Sequence, residues 1–446
     1  MTTPKSPSSR SEFSYSDSPQ HVAQRHYAAK RRRRKRLFIT IATTLSVALL
    51  ASVGAIAFAL ADLNRSVVRS EFQLPMVEDT FVDPGEQNIL IMGMDSRVDQ
   101  NGNELPQEIY DALHAGGSDD GGYNANVLML LHMPADRSKT VGISIPRDDY
   151  VEIVGAPLGV SHSKIKEAYG LRMSERLGEL NDDNEGLSED EIYQEARAAG
   201  RQAQIETVSH FLGDVRIDHF VEMTMGGFYE VTKAVAPINV CLNQATEDSF
   251  SGAYFAAGEQ EIDAQQAMSF VRQRRDTSED GPYLTDLDRS RRQQAFMVAL
   301  AEKLKSSSTF MNPITVASLM DATKNYVALD SGFDAITFLR IAKDAANHGA
   351  GFITLPIVEF DEIDGKAVNV VDVDEIQSIV ASIFDGSYWD QPAEDSAPAD
   401  GTAEESDGEA GEAPAAPSEP ARNDAGNAVY DSWDQPIRTG GVPCVN

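Results

Sequence analysis

Apolar and polar positions fall along this chain in three different periods, and each predicts a different element. Residues 37–61 form an unbroken apolar run without a charge. At about 1.5 Å per residue this run exceeds the ~30 Å hydrocarbon core of a bilayer, so it predicts one transmembrane helix. Its length and its distance from Met1 argue for an anchor that is not cleaved. Short apolar runs at 88–92, 127–133, 140–145, 217–223 and 238–242 predict strands. Because the 134–139 turn is short, the second and third strands should be antiparallel. If the first also runs parallel to the third, Asp95, Arg97, Asn124, Asn126, Arg147 and Asp148 emerge at one sheet edge, where ligands of α/β sheets collect.

Apolar positions recur at three- and four-residue steps in 205–212, 227–236, 263–270, 314–326, 333–347 and 374–384, which predicts helices. Another helix should start near Asp286 as its N-cap, carrying Arg289, Arg292, Gln293, Phe296 and Leu300 on one face. Residues 352–358 and 367–371 read as a closing hairpin. The charged stretch 171–204 reads as a helical excursion with a solvated surface. Strands interleaved with helices make an α/β layer structure. Five segments result: a basic disordered tail (1–36), the membrane helix (37–61), a stalk (62–85), a folded domain (86–385), and an acidic low-complexity tail (386–446), whose composition buries too little apolar surface to fold.

Charge sharpens this organisation. Residues 1–36 hold ten Lys/Arg against Glu12 and Asp17, a balance of +8, which leaves −40 for the rest of a chain whose net charge is −32. The basic run 30–36 directly precedes the apolar span and places the N-terminus in the cytoplasm, with the main domain outside. An acidic body argues against general nucleic-acid binding by the main domain. The two cysteines, Cys241 and Cys444, then lie in an oxidising compartment, where an even count favours one disulfide.

Against that acidic background, 262–296 concentrates Arg272, Arg274, Arg275, Arg289, Arg291 and Arg292 beside Gln293 and Gln294. In an extended chain Arg272 and Arg274 project to one side. An arginine on an inward helix stripe needs an anionic partner. Ion pairs with Glu279, Asp280, Asp286 and Asp288 would satisfy it, and so would a phosphate or pyrophosphate, for which the planar guanidinium fork is well suited. Residue type alone leaves both open.

The motifs NILIMGMDSR, VLMLLHMPADR, SIPRDDYVEI, KIKEAYG, RIDHFVEM, FVRQRR and DLDRSRRQQAF, in this order, resemble the LytR-CpsA-Psr family over residues 88–304. The resemblance implies a three-layer α/β/α sandwich with a central mixed sheet. It implies a membrane-anchored phosphotransferase that moves a glycopolymer phosphate from a polyprenyl-pyrophosphate carrier to peptidoglycan, with Mg²⁺ or Mn²⁺. Carried over by position, Asp95 is the metal-binding aspartate and Asn126 stands where many members have a second one. Arg147, Arg272, Arg274, Arg289 and Gln293 match the catalytic positions, and Arg97, Lys164 and Arg292 the pyrophosphate-binding ones. The expected partners are the lipid-linked glycan, peptidoglycan and membrane lipid. The departure at Asn126 leaves one fewer carboxylate for a metal and keeps a non-catalytic lipid-glycan carrier as the alternative.

Overall fold

The computed structural model describes residues 67–72, 85–114, 116–118, 121–136, 140–183, 186–306, 313–333, 350–389, 420–432 and 434–446. The expected membrane helix at 37–61, the basic tail and the expected helix at 333–347 lie outside them, Phe333 excepted. No helix among the described residues is long and apolar enough to cross a membrane.

The centre is a mixed sheet of eight strands: β1 (Val68–Ser70), β2 (Gln87–Met94), β3 (Ala125–Met133), β4 (Thr140–Ile145), β5 (His219–Thr224), β6 (Val327–Asp330), β7 (Ala350–Thr354) and β8 (Ile437–Arg438). Their order is β1-β6-β5-β2-β3-β4-β7-β8. β2 and β4 both run antiparallel to β3, so they are parallel to each other, as expected. Alternation splits their side chains between two cores. Leu90, Met92, Leu128, Leu130, Val141 and Ile143 pack with residues of the helices Ala168–Asp183, Glu189–Phe211 and Val373–Phe384. Ile91, Met129 and Leu131 belong to a second cluster with Phe270, Phe296 and Val298 of the helices Ala264–Arg272 and Asp286–Ser306. Each fully buried Leu, Ile or Phe contributes about 1.5–3 kcal/mol.

Three expectations are corrected. Residues 352–358 do not open a hairpin: Ala350–Thr354 is buried at every position and pairs in parallel with β4, while the hairpin is Glu359–Ile363 with Lys366–Val370. A continuous apolar run marks a strand covered on both faces rather than an edge hairpin. The stretch 171–204 is not only a solvated surface, because Arg197 and Arg201 are buried on Glu222 of β5. Finally, residues 420–446 do not behave as a low-complexity tail. Their short strands extend two sheets: Ile437–Arg438 joins the central one, and Cys444–Val445 pairs in parallel with Ile238–Leu242. Cys444 lies opposite Cys241 in that register, and the two form the expected disulfide, closing a separation of 203 residues.

His132 of β3 is buried, its Nδ1 2.8 Å from Asn88 Oδ1 and its ring stacked 3.9 Å from that of Phe384. Burial pushes the imidazole down to about 4. The unfolded chain takes up this proton near pH 6.5, before the folded one does, so stability is complete above about 6.5 and falls as the pH drops toward 4. The loss is on the order of 3 kcal/mol. Urea unfolding at pH 7 and pH 4.5 should show it, and His132→Gln should flatten the dependence in that window.

Candidate functional site

The expected edge residues meet where β2 and β4 end and β3 begins. Between Gly93 and Met94 the β2–β3 register shifts, so Asn126 is the extra residue of a bulge, a device that re-aims a side chain. Its Oδ1 is buried with no hydrogen-bond partner. Leaving an amide oxygen unmatched in the interior costs about 1–3 kcal/mol, which a bound group would recover. Asp95 follows β2 and pairs with Arg97, 3.6 Å away. The Arg97 guanidinium lies against Gly121, whose φ of +100° and lack of a side chain make the room it occupies. Asp95 and Asn126 both offer oxygen, which suits a hard divalent cation. No group of three or more His, Cys, Asp or Glu able to hold a metal occurs among the described residues.

Arg147 leaves the end of β4 with only 6% of its surface exposed, and its Nη2 lies 2.9 Å from Asp286 Oδ1. Arg289 Nη2 takes the other oxygen at 3.0 Å and also donates to the main-chain oxygen of Asn126 at 3.2 Å. One carboxylate thus joins two guanidinium groups that lie far apart in sequence. The helix Asp286–Ser306 explains how it is free to do so. Asp286 is not the N-cap: Thr285 Oγ1 accepts from Leu287 N at 3.2 Å, and Asp288 accepts from Thr285 N at 2.7 Å. With the cap supplied by its neighbours, Asp286 is left to pair with the buried arginines.

A second carboxylate is shared as well. Asp148 lies 3.5 Å from Arg147, 3.2 Å from Lys164 and 2.6 Å from Lys166. Burial pushes its carboxyl up, but Arg147, Lys166 and Lys164 override this and hold it at about 2. Burial has the last word at Asp149, aided by the charges of Asp148 and Asp286, and keeps that carboxyl well above its usual range. Arg274 is exposed and makes no ion pair or hydrogen bond among the described residues. Arg272 donates to the main-chain oxygen of Leu113, with Asp95, Arg97 and Arg274 as its charged neighbours. Burial pulls Arg289 down to about 10, against the pull of Asp286, so it remains charged at neutral pH. Asp148 and Asp286 are each shared among two or more cations, which leaves surplus positive charge for an anion to neutralise.

Two residues of the expected set stand apart. Arg292 does not face the site. It is fully buried, and its guanidinium donates to the main-chain oxygen of Asn446 (2.7 Å), Gln273 Oε1 (2.6 Å) and Thr246 Oγ1 (3.3 Å). A buried guanidinium with its donors so occupied is structural. Gln293 donates to the main-chain oxygen of Val271 at 3.2 Å and so ties the two arginine-bearing helices together. Of the four carboxylates expected to pair with the arginines, Asp286 does so with Arg147 and Arg289, whereas Lys166 was not among the expected site residues. Lys164 and Lys166, two apart in SKIKE, carried the signal for the latter.

A profile of the LytR_cpsA_psr family matches residues 62–383. The chain belongs to this family. Among its relatives, the cell wall biosynthesis protein LcpA of Corynebacterium glutamicum is 34% identical over 304 residues, which cover 68% of this chain and 56% of LcpA. The polyisoprenyl-teichoic acid–peptidoglycan teichoic acid transferase TagU of Halalkalibacterium halodurans is 28% identical over 254 residues, 56% of this chain and 62% of TagU. This LytR-CpsA-Psr chain therefore spans a little over half the length of these curated relatives. The LytR-Csp2A-Psr enzyme from Actinomyces oris superposes with a TM-score of 0.47 at 16% identity, over 71% of this chain and 94% of that one.

Proposed function

We propose that this chain is a membrane-anchored phosphotransferase that moves a glycopolymer phosphate from a polyprenyl-pyrophosphate carrier to peptidoglycan outside the membrane. The observation that carries the reading is the convergence of Arg147 and Arg289 on Asp286, with Arg274 left unpaired beside them. The Asp286 carboxylate stands where phosphate oxygens would bind, and a pyrophosphate brings more charge to the same donors. An acceptor hydroxyl oxygen attacks the phosphorus that bears the glycan while its proton passes to solvent water, the bridging P–O bond breaks, and polyprenyl phosphate leaves. Negative charge grows on the leaving phosphate, and arginines fixed beforehand stabilise it without reorganisation. Asp95 and Asn126 would hold a divalent cation, Mg²⁺ or Mn²⁺, which when bound supplies Lewis-acid stabilisation to the same oxygens. The Cys241–Cys444 disulfide supports a location in an oxidising, extracytoplasmic compartment.

The test is release of polyprenyl phosphate by the detergent-solubilised full chain, given a pyrophosphate-linked glycan, a peptidoglycan acceptor and Mg²⁺. Absence of both release and transfer from the folded protein would sink the reading. The amide at Asn126 favours a second reading, a carrier that holds lipid-linked glycan without turnover. Co-purified lipid that is never consumed would decide for it.

A further inference from the structure

We propose that the exposed aromatic turn beside the arginine segment is a subsite for an uncharged pyranose strand. Its assignment to the acceptor glycan rests on the transferase reading above, whereas the sugar-binding surface itself does not. Phe250, Tyr254 and Tyr283 are 65%, 78% and 92% exposed, although rings of this size usually bury their faces.

Phe250 is not displayed on a loose loop. Asp248, 2% exposed, accepts from Phe250 N at 3.0 Å and from Ser251 Oγ at 2.8 Å. Ser269 Oγ in turn holds the Ser251 carbonyl at 2.9 Å. The main chain is pinned while the ring stays in water, with the Arg275 guanidinium 4.5 Å from its centre. Tyr283 belongs to a segment tied to the same hairpin. Asp276 accepts from Glu247 N at 2.7 Å and from Ser278 N at 2.8 Å, and Gly281 lies so close to Asp276 that any side chain there would overlap it. Beneath both segments, Arg292 holds Gln273 and Thr246 together. This is the positive role of the arginine that fails to face the cradle.

Successive residues of the segment face two ways. Arg274 has Arg147, Asp286 and Asp148 of the cradle as charged neighbours, Gln273 and Arg275 touch the hairpin, and Arg272 has both Asp95 and Arg97 of the cradle and Asp248 of the hairpin around it. The aromatic turn is therefore contiguous with the phosphate-binding donors. A pyranose presents a C–H face to an aromatic ring and hydroxyls to polar groups around it. Glu247, Glu279 and Asp280 are exposed here and Asp276 is half-buried. These carboxylates accept hydroxyl donors and repel an anionic bilayer or a polyanionic glycan, which leaves a neutral sugar strand.

The test titrates a β-1,4-linked N-acetylglucosamine hexamer into the full chain held in phosphatidylcholine nanodiscs, by calorimetry. Phe250→Ala and Tyr283→Ala should each weaken binding by about fivefold, the range of one lost aromatic contact, while Phe250→Trp retains it. An unchanged thermal midpoint shows that the variants fold. No binding by the unsubstituted protein at millimolar hexamer overturns the proposal, and so does an affinity in both alanine variants equal to that of the unsubstituted protein. Unchanged sugar affinity with chymotryptic cleavage at Phe250 blocked only in phosphatidylglycerol nanodiscs assigns the turn to lipid and also overturns it. Because the readout is binding, a protein without transfer activity would defeat the transferase reading and leave this one standing.

Discussion

Replacing Arg147 by alanine is expected to lower turnover of a pyrophosphate-linked glycan at least about a thousandfold while the protein remains folded. Removing one fixed donor from a developing oxyanion costs about a hundred- to a thousandfold, and an arginine on a transferred phosphoryl group up to about a hundred thousandfold. The fold should survive because Asp286 keeps Arg289, and Asp148 keeps Lys164 and Lys166. Arg147→Lys should recover little, since a single ammonium cannot meet Asp286 and Asp148 through two separate nitrogens as Nη2 and Nε do. Arg274→Ala provides the cleaner comparison. Its side chain is exposed and holds nothing together, so stability should stay within about 0.5 kcal/mol while turnover falls about a hundredfold. Arg292→Ala should behave in the opposite way, losing stability first and turnover only as a consequence. Retention of more than a tenth of the activity by Arg147→Ala would mean that the cradle does not bind the reacting phosphates.

The second large effect lies away from the site. Glu222→Gln should destabilise the domain by about 3–5 kcal/mol, a large part of the ~5–15 kcal/mol available to a folded protein. Glu222 is fully buried on β5, with Arg197 paired to one oxygen and Arg201 Nε 2.6 Å from the other. Gln100 and Tyr169 complete the shell at 3.0 and 3.2 Å. Neutralising the carboxylate leaves two guanidinium groups without a counter-charge in a medium that cannot solvate them. A triple change of Arg197, Arg201 and Glu222 to apolar residues of similar volume should recover most of the loss. Burial pushes Glu222 up, but Arg201 and Arg197 override it and hold the carboxyl at about 2. Since the unfolded value is near 4.3, the contribution is complete above that pH and disappears as the pH falls toward 2. This window lies below that of His132, so denaturant unfolding across pH separates the two groups. A Glu222→Gln protein within about 1 kcal/mol of the original would show that the pair contributes no net stability.

Much of this was readable in advance, for a local reason. Strands β2 to β4 are short apolar runs followed by Gly93, Pro134 or Pro146, so period and punctuation located them, although β2 continues through Gly93 to Met94. The antiparallel β3–β4 pair followed from a turn too short for a crossover. The arginines were visible as candidates because guanidinium groups are rare in an acidic chain, and alternation placed Arg272 and Arg274 on one side.

Pairing between distant residues was not readable. A lone Glu in the apolar run HFVEMT hinted that an opposite charge waits in the core, yet nothing local named Arg197 and Arg201 as its partners. Arg289 and Arg292 share a predicted helix face, and only packing separated them: one meets Asp286 and Asn126, the other Gln273 and Asn446. Sequence by itself determined which residues carry charge and which runs are apolar, since these are properties of side chains and neighbours. Tertiary structure alone decided which charges meet, which are buried and which stay free for a ligand. Those outcomes depend on desolvation and on partners brought together by the sheet, and neither is written in any one stretch of chain.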